Sequence, residues 1–522
     1  MKFILFGFLI AKAVTSLFAQ SEIPCDIVEL AKITLAESPN IKKGINDIGM
    51  AKASIQIQKS VFDYNLYSEI TYNNLKKNTL INDNINSLFE GDFLLTRNTD
   101  YSLGLQKKFR SGLNANLSAG YSINNNNYTV NSFNEEVKPF TGEHASSATL
   151  SLTQPLLKGR GKKVTTTLEN VARKNVQNLQ DEYSFSISSE ILQLSVAYWQ
   201  YLTAYRSLEI YMENEKRVRN VLEVTNELVK ADKRPEGDLS QVYAELANQE
   251  RLTKVAEQNL FEAKIYLGSV IGLSAQSSLE LQEPLNDFPN VLESGFKQRM
   301  SEATFVQLAI NNRMDIKALQ KAKESLELQK YSAEKNLKPQ LDLTGFVTYG
   351  GQSIGNGFDN TVATFANNEG RSVGSGFNLS FTLPVNNNSA KGNYIQIESS
   401  LMNQHIINEN LERNIHLNVF SALSNLETSA IVLNKAEESL TQYRIAFKNE
   451  ETKFQNGLTT LLNLLLFQER LTYAELEYLQ THQQFATAII KLRYETGTLI
   501  KEDKTGALFI DNETFYTIPV QN

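Results

Sequence analysis

The 522-residue sequence holds one cysteine, Cys25, which excludes an intramolecular disulfide framework. Its four histidines, His144, His405, His416 and His482, are scattered without metal-ligand spacing. A glycine-rich phosphate loop is also missing. Gly159-Arg160-Gly161-Lys162-Lys163 lacks the spacing and the hydroxyl, and marks a strand-to-helix corner instead. These absences leave no catalytic, cofactor or metal residues to assign, so an enzyme is not expected. A basic excess is missing too: 51 basic against 58 acidic residues, net −7, argues against a nucleic-acid partner. Beyond the first twenty positions no run of about 18 apolar residues occurs, so no transmembrane helix is expected there.

What is present begins with Met1–Ala19, which reads as a secretory signal: Lys2, the apolar run Phe3–Ile10, then Ser16-Leu17-Phe18-Ala19 before Gln20. Lys12 interrupts its apolar region. Cys25 lies just behind, where a lipid-modified cysteine would sit, but Glu22-Ile23-Pro24 lack the small residues such processing requires. Lipidation and an inert thiol are the two readings. A secreted chain can still meet a membrane as a β-barrel.

The chain repeats itself once. Shifted by 225 residues, Asp232–Gly272 falls without a gap on Gly457–Gly497, with Glu250 on Glu475 and Leu267 on Leu492. Shifted by 229, Leu150-Ser151-Leu152-Thr153-Gln154-Pro155 overlays Leu379-Ser380-Phe381-Thr382-Leu383-Pro384, and shifted by 275, Pro39-Asn40-Ile41 overlays Met314-Asp315-Ile316. Two copies make an internal duplication rather than a solenoid. The expected divisions are a signal peptide, 1–19; a first repeat, 20–290; a second repeat, 291–500; and a C-terminal tail, 501–522.

Helical periodicity dominates. Residues 26–60 carry Ile27, Leu30, Ala31, Thr34 and Leu35 at spacings suited to one face. Residues 165–231 contain no proline and end in a stripe of Val218, Val221, Leu222, Thr225, Leu228 and Val229. Such a helix would be ~100 Å long at 1.5 Å per residue, too long for an ordinary globular core. Segments 236–272 and 301–337 hold about 37 residues each, so end to end they match one long helix. Segments 26–60 and 463–497 do the same beside the second long helix, 392–455. Two long and two paired short helices therefore fit a coiled-coil-like cylinder wall.

Between the helices lie alternating strands. Leu113, Ala115, Leu117, Ala119 and Tyr121 alternate with Asn114, Asn116, Ser118 and Gly120. Tyr101, Leu103 and Leu105 do so with Ser102, Gly104 and Gln106, and Leu341 and Leu343, Leu379 and Phe381 behave likewise. One apolar and one small polar face suits an outer-membrane barrel, with lipid on one side and water on the other. A half-buried soluble strand has the same period, but strands set between rods with nothing else to pack them favour the barrel. Lys108-Phe109-Arg110-Ser111-Gly112 reads as a tight turn, whereas Ile81–Asn86, Asn124–Asn127 and Gly350–Glu369 read as long outer loops.

With these residues in place the chain resembles the TolC family of outer-membrane efflux and secretion channels. The carriers are Leu150–Leu157, Asn311-Asn312-Arg313-Met314-Asp315-Ile316, Phe454-Gln455-Asn456-Gly457-Leu458-Thr459-Thr460 and Leu492–Gly497, in the family's order over about 26–500. The resemblance implies a mainly α fold with membrane β: a trimeric α-barrel in the periplasm joined to a shared β-barrel in outer-membrane lipid. It also implies a periplasmic adaptor and, through it, an inner-membrane pump. A barrel needs closure, and the strands of one chain leave an open edge. The family usually supplies four strands per protomer, so 99–125 looks like an added hairpin, either within the barrel or outside it.

The resemblance also places the functional positions. The tip turns are Ala231–Gly237 and Asn456–Leu462. Lys233, Arg234, Pro235, Gly457, Leu458 and Thr459 there are the expected adaptor contacts. The periplasmic aperture falls on Asp238, Asn463 and Leu466. Relatives often carry carboxylates at the last two positions; here Leu461, Leu462, Leu464, Leu465 and Leu466 form an apolar collar. Asp238 either lines the pore or caps its helix. The rival reading is a trimeric outer-membrane-anchored stalk or adhesin, which would need one coil and one anchor, not two interleaved hairpins.

Overall fold

A computed structural model describes residues 23–78, 93–131, 135–297, 300–366, 370–502 and 508–519. The secretory segment Met1–Ala19, the loop Ile81–Asn86 and parts of the tail lie outside the described residues. The elements run β1 (Ile23–Cys25), α1 (Ile27–Glu37), α2 (Pro39–Ser60), β2 (Tyr64–Asn78), β3 (Phe93–Lys108), β4 (Asn114–Asn126), β5 (Glu143–Pro155), α3 (Thr167–Lys230) and α4 (Gly237–Ile271). The second half runs β6 (Leu281–Pro284), α5 (Glu302–Asn312), α6 (Met314–Asn336), β7 (Gln340–Ile354), α7 (Asp359–Ala366), β8 (Ser372–Thr382), α8 (Asn388–Gln455) and α9 (Leu461–Glu495). No described helix is long and apolar enough to cross a membrane.

Two compact units emerge, and each draws on both repeats: Met1–Gly49, Gln177–Gln320 and Ile406–Asn522 in one, Met50–Val176 and Lys321–His405 in the other. In the helical unit the first repeat packs Ile27, Leu30, Ile191, Leu194 and Leu267 around Trp199. The second packs Phe305, Val306, Val419, Leu426, Phe485 and Ile489. Trp199, midway along α3, is fully buried, its ring 5.5 Å from Phe288.

The duplication persists in detail. Helices α4 and α9 have 35 residues each. Gly272 (φ 93°) and Gly497 (φ 68°) both close a helix in the left-handed region, and the residue after each donates its N–H to a helix carbonyl at 2.8 Å (Leu273 to Gly268, Thr498 to Arg493). A Cβ on Gly272 would lie 3.0 Å from the Glu37 carbonyl oxygen, and one on Gly497 2.9 Å from the Arg313 nitrogen. Glycine is thus required where α1 and α5 cross these turns.

Two sequence expectations need correcting. Residues 26–60 and 301–337 are not continuous helices; each breaks, at Ser38 and at Arg313, both with ψ near 125°. Pro39 enforces the first break by disfavouring the α region at Ser38. No proline follows Arg313, whose guanidinium is held by Asp315 (2.7 Å) and Glu495 (2.8 Å) instead. Cys25 is fully buried in β1, paired with β6, and desolvation pushes its thiol up to about 12. Of the two readings, burial fits the inert thiol.

The strand unit is one antiparallel sheet in the order β2-β3-β4-β5-β7-β8. The tight turn forms as expected: Phe109 donates to Leu113 at 2.7 Å, and Gly112 adopts φ 98°. The hairpin around 99–125 is β3–β4, inserted within the sheet rather than outside it. Arg110 in its turn donates to the buried Glu169 carboxylate of α3 at 3.0 Å and lies over the Phe62 ring. Two expected loops prove partly regular. Asn124–Asn126 belong to β4, Gly350–Ile354 to β7, and 359–366 form α7; residues 367–369 are outside the described residues.

Candidate functional site

Register assigns the two sheet faces within the strand unit. Leu66, Leu105, Leu117, Leu150 and Val347 are cross-strand partners and share one face. One residue along, Gln106, Asn116, Ser151 and Phe346 share the other. Around these residues the first face is exposed and apolar, whereas the second is mainly asparagine, serine, threonine and glycine, with Phe346 and Tyr67 among its exceptions. The alternation legible in the sequence thus continues across neighbouring strands from β2 to β7. Strands β2 and β8 are its free edges. Six alternating strands make those edges run antiparallel, so β8 of one copy can pair with β2 of the next.

In the helical unit the two tip turns have the same backbone. After α3, Asp232 adopts φ 52° and Lys233 donates to Leu228 at 2.9 Å; after α8, Gly457 adopts φ 72° and Leu458 donates to Lys453 at 2.9 Å. Both are left-handed helix ends with the longer-range closing bond. The structure brings the turns together through Arg234, whose guanidinium donates to the Thr459 carbonyl oxygen. The same group lies 4.9 Å over the Phe454 ring and 3.9 Å from the Asp238 carboxylate. The Thr459 hydroxyl in turn donates to Glu450, which also pairs with Lys453 at 3.2 Å. Asn463 donates its side-chain amide to Thr459 Oγ1 at 3.3 Å, and its N–H to Thr460 Oγ1, the cap of α9.

Lys233, Pro235, Gly457 and Leu458 are exposed, while Arg234 and Thr459, joined by their mutual bond, are half-buried. The cap position of α4 falls on Glu236, so the capping reading of Asp238 is not what the helix end shows; Asp238 lies in the first turn, facing Arg234. The collar is narrower than the sequence suggests. Leu461 and Leu464 turn inward into the core with Val218, Val221 and Phe454, leaving Leu462, Asn463 and Leu466 exposed. Helical geometry decides this, since 461 and 464 share one face while 462 and 466 share another. The Arg234–Thr459 bond was not foreseen. Its only sequence signal is that the two positions are equivalent under the 225-residue shift.

Residues 305–498 match the family model described as outer membrane efflux protein. A search of curated protein sequences found no match. Among solved structures, the fold is shared by the CmeC outer membrane channel of Campylobacter jejuni (14% identical, 90% of this chain and 85% of that one, TM-score 0.62). VceC of Vibrio cholerae matches similarly (14%, 90% and 96%, 0.62), as does the open-state MtrE outer membrane channel of Neisseria gonorrhoeae (13%, 90% and 88%, 0.60). A duplicated helical hairpin together with a two-faced sheet is the fold of outer-membrane channels. The second repeat thus matches the outer membrane efflux protein family, and the chain as a whole shares the fold of these channels.

Proposed function

We propose that the chain is the outer-membrane exit duct of a tripartite efflux or type I secretion system. It passes small molecules or polypeptides across the periplasm and outer membrane. In this reading it works as a homotrimer that docks a periplasmic adaptor at Lys233–Pro235 and Gly457–Thr459 and, through that adaptor, an inner-membrane pump. The observation that carries it is the sheet: one apolar face, one polar face and two free edges of complementary direction. An unpaired edge in lipid leaves a row of N–H and C=O groups unsatisfied, at several kcal/mol each. Closure by three copies of a six-stranded sheet gives eighteen strands, a wider bore than four strands per chain would form, since diameter grows with strand number.

No enzymatic role is part of this proposal; positioning and passage are the work of the duct. Chemical crosslinking in mild detergent tests it, with a three-chain species expected together with conductance in planar bilayers. A monodisperse monomer would remove the architecture, and a trimer without conductance would restore the stalk reading.

A further inference from the structure

Helix α7 is amphipathic the wrong way round for water. Asn360, Thr361 and Thr364 turn towards the sheet, while Asp359, its first residue, is exposed at the helix start. Val362 and Phe365 turn out, exposed by 55% and 44%, as does Phe358 just before the helix, exposed by 78%. The side of the sheet it covers is the apolar one, because its contacts are all to residues of that face. The Tyr121 hydroxyl is 2.7 Å from Thr361 Oγ1 and 2.5 Å from His144 Nδ1; Ser146 Oγ donates to the Thr364 carbonyl oxygen at 3.2 Å. Ser353 Oγ donates to Asn360 Oδ1 at 3.1 Å, and the Tyr349 hydroxyl to the Phe365 carbonyl oxygen at 3.4 Å. Gly351 lies directly beneath Thr364, leaving no room for a Cβ.

A patch of hydroxyl and imidazole groups on a lipid-facing sheet would be left unsatisfied in hydrocarbon. Helix α7 closes it: Thr364, His144 and Ser146 are all at most 5% exposed. The exposed Val362 and Phe365 of the helix then present apolar surface over that patch. Below it the same face continues through Val347, Leu150 and Leu117, all exposed.

We propose that α7 is an outer-leaflet anchor: it covers a polar patch at the outer end of the barrel's lipid face and seats Phe358, Val362 and Phe365 among acyl chains just below the headgroups. A short helix with an apolar outer face lying along a membrane boundary is an interfacial element, here held by side-chain bonds to a barrel. The proposal rests on the barrel reading, and the test separates the two.

The full-length protein is reconstituted in phosphatidylcholine vesicles containing lipids brominated near the top of the acyl chain, as the variants Phe365→Trp and Leu117→Trp. The native Trp199 is fully buried and supplies a background measured in the parent. Lipid quenching of both variants, with iodide quenching at least severalfold weaker, is the expected result. Quenching by lipid at Leu117→Trp but by iodide at Phe365→Trp overturns the anchor and keeps the barrel. Loss of lipid quenching at both overturns the barrel reading and the anchor with it. Val362→Cys carrying a nitrobenzoxadiazole label gives a second measurement, because Cys25 is buried and unreactive. A blue-shifted emission in vesicles is expected; a water-like emission overturns the anchor.

Discussion

At the residue scale, Glu169 shows how one carboxylate ties an inserted hairpin to a helix. Its side chain is 3% exposed, with Arg110 at 3.0 Å and Arg173 at 2.7 Å. The Arg110 hydrogen bond, helped by Arg173 and opposed by desolvation, holds its carboxyl below the ordinary 4.5. A depressed folded pKa stabilises above the unfolded value and is lost as pH falls through the folded one. Glu169→Gln should therefore lower thermal stability at neutral pH, and the gap to the parent should shrink below pH 4.5. Melting curves over a pH series check this; a constant gap would mean that packing, not charge, holds the turn. Arg234 is the matching case at the tips. Arg234→Ala removes a charged donor from the Thr459 carbonyl and a cation from the Phe454 face, a loss of about 1–3 kcal/mol of local stability. Amide exchange across Asn456–Leu462 should rise accordingly, with the trimer intact. With Arg234 beside Asp238, Asp238→Asn should change cation selectivity little, whereas Asn463→Asp adds an uncompensated carboxylate and should raise it. Bilayer recordings decide; unchanged selectivity in Asn463→Asp would put that side chain off the axis.

At the scale of elements, the strand faces set what each position tolerates. Leu117 lies on the apolar face and Asn116 on the polar one, where it accepts from the Tyr67 hydroxyl at 3.3 Å. Leu117→Arg should destabilise assembly by roughly 2–4 kcal/mol at mid-bilayer, and Asn116→Arg far less. Equal defects in heat-modifiability on gels would show that the facing is misassigned. The tip turns obey a different constraint. Gly457 adopts a left-handed φ with open space around its Cα, so a side chain there meets backbone strain but no neighbour. Gly457→Trp should abolish transport while leaving the trimer and membrane insertion unchanged; surviving transport would move adaptor docking elsewhere.

At the scale of the whole molecule, the sequence by itself determined the duplication, the long helices and the strand alternation. Each is a periodicity, and periodicity survives without knowledge of partners. The residues 165–231 read as one helix and form one from Thr167 to Lys230; the 225-residue shift recurs as equal turns at Asp232 and Gly457. The helix breaks at Ser38 and Arg313 were only half legible. Pro39 announces the first, whereas the second depends on Glu495 and Gly497, nearly two hundred residues away. The placement of the 99–125 hairpin inside the sheet, the inward turn of Leu461 and Leu464, and the inverted helix α7 were decided by tertiary structure alone. A strand's neighbours, a helix's buried face and the partner of a lone arginine depend on residues distant in sequence, and local spacing carries no record of them.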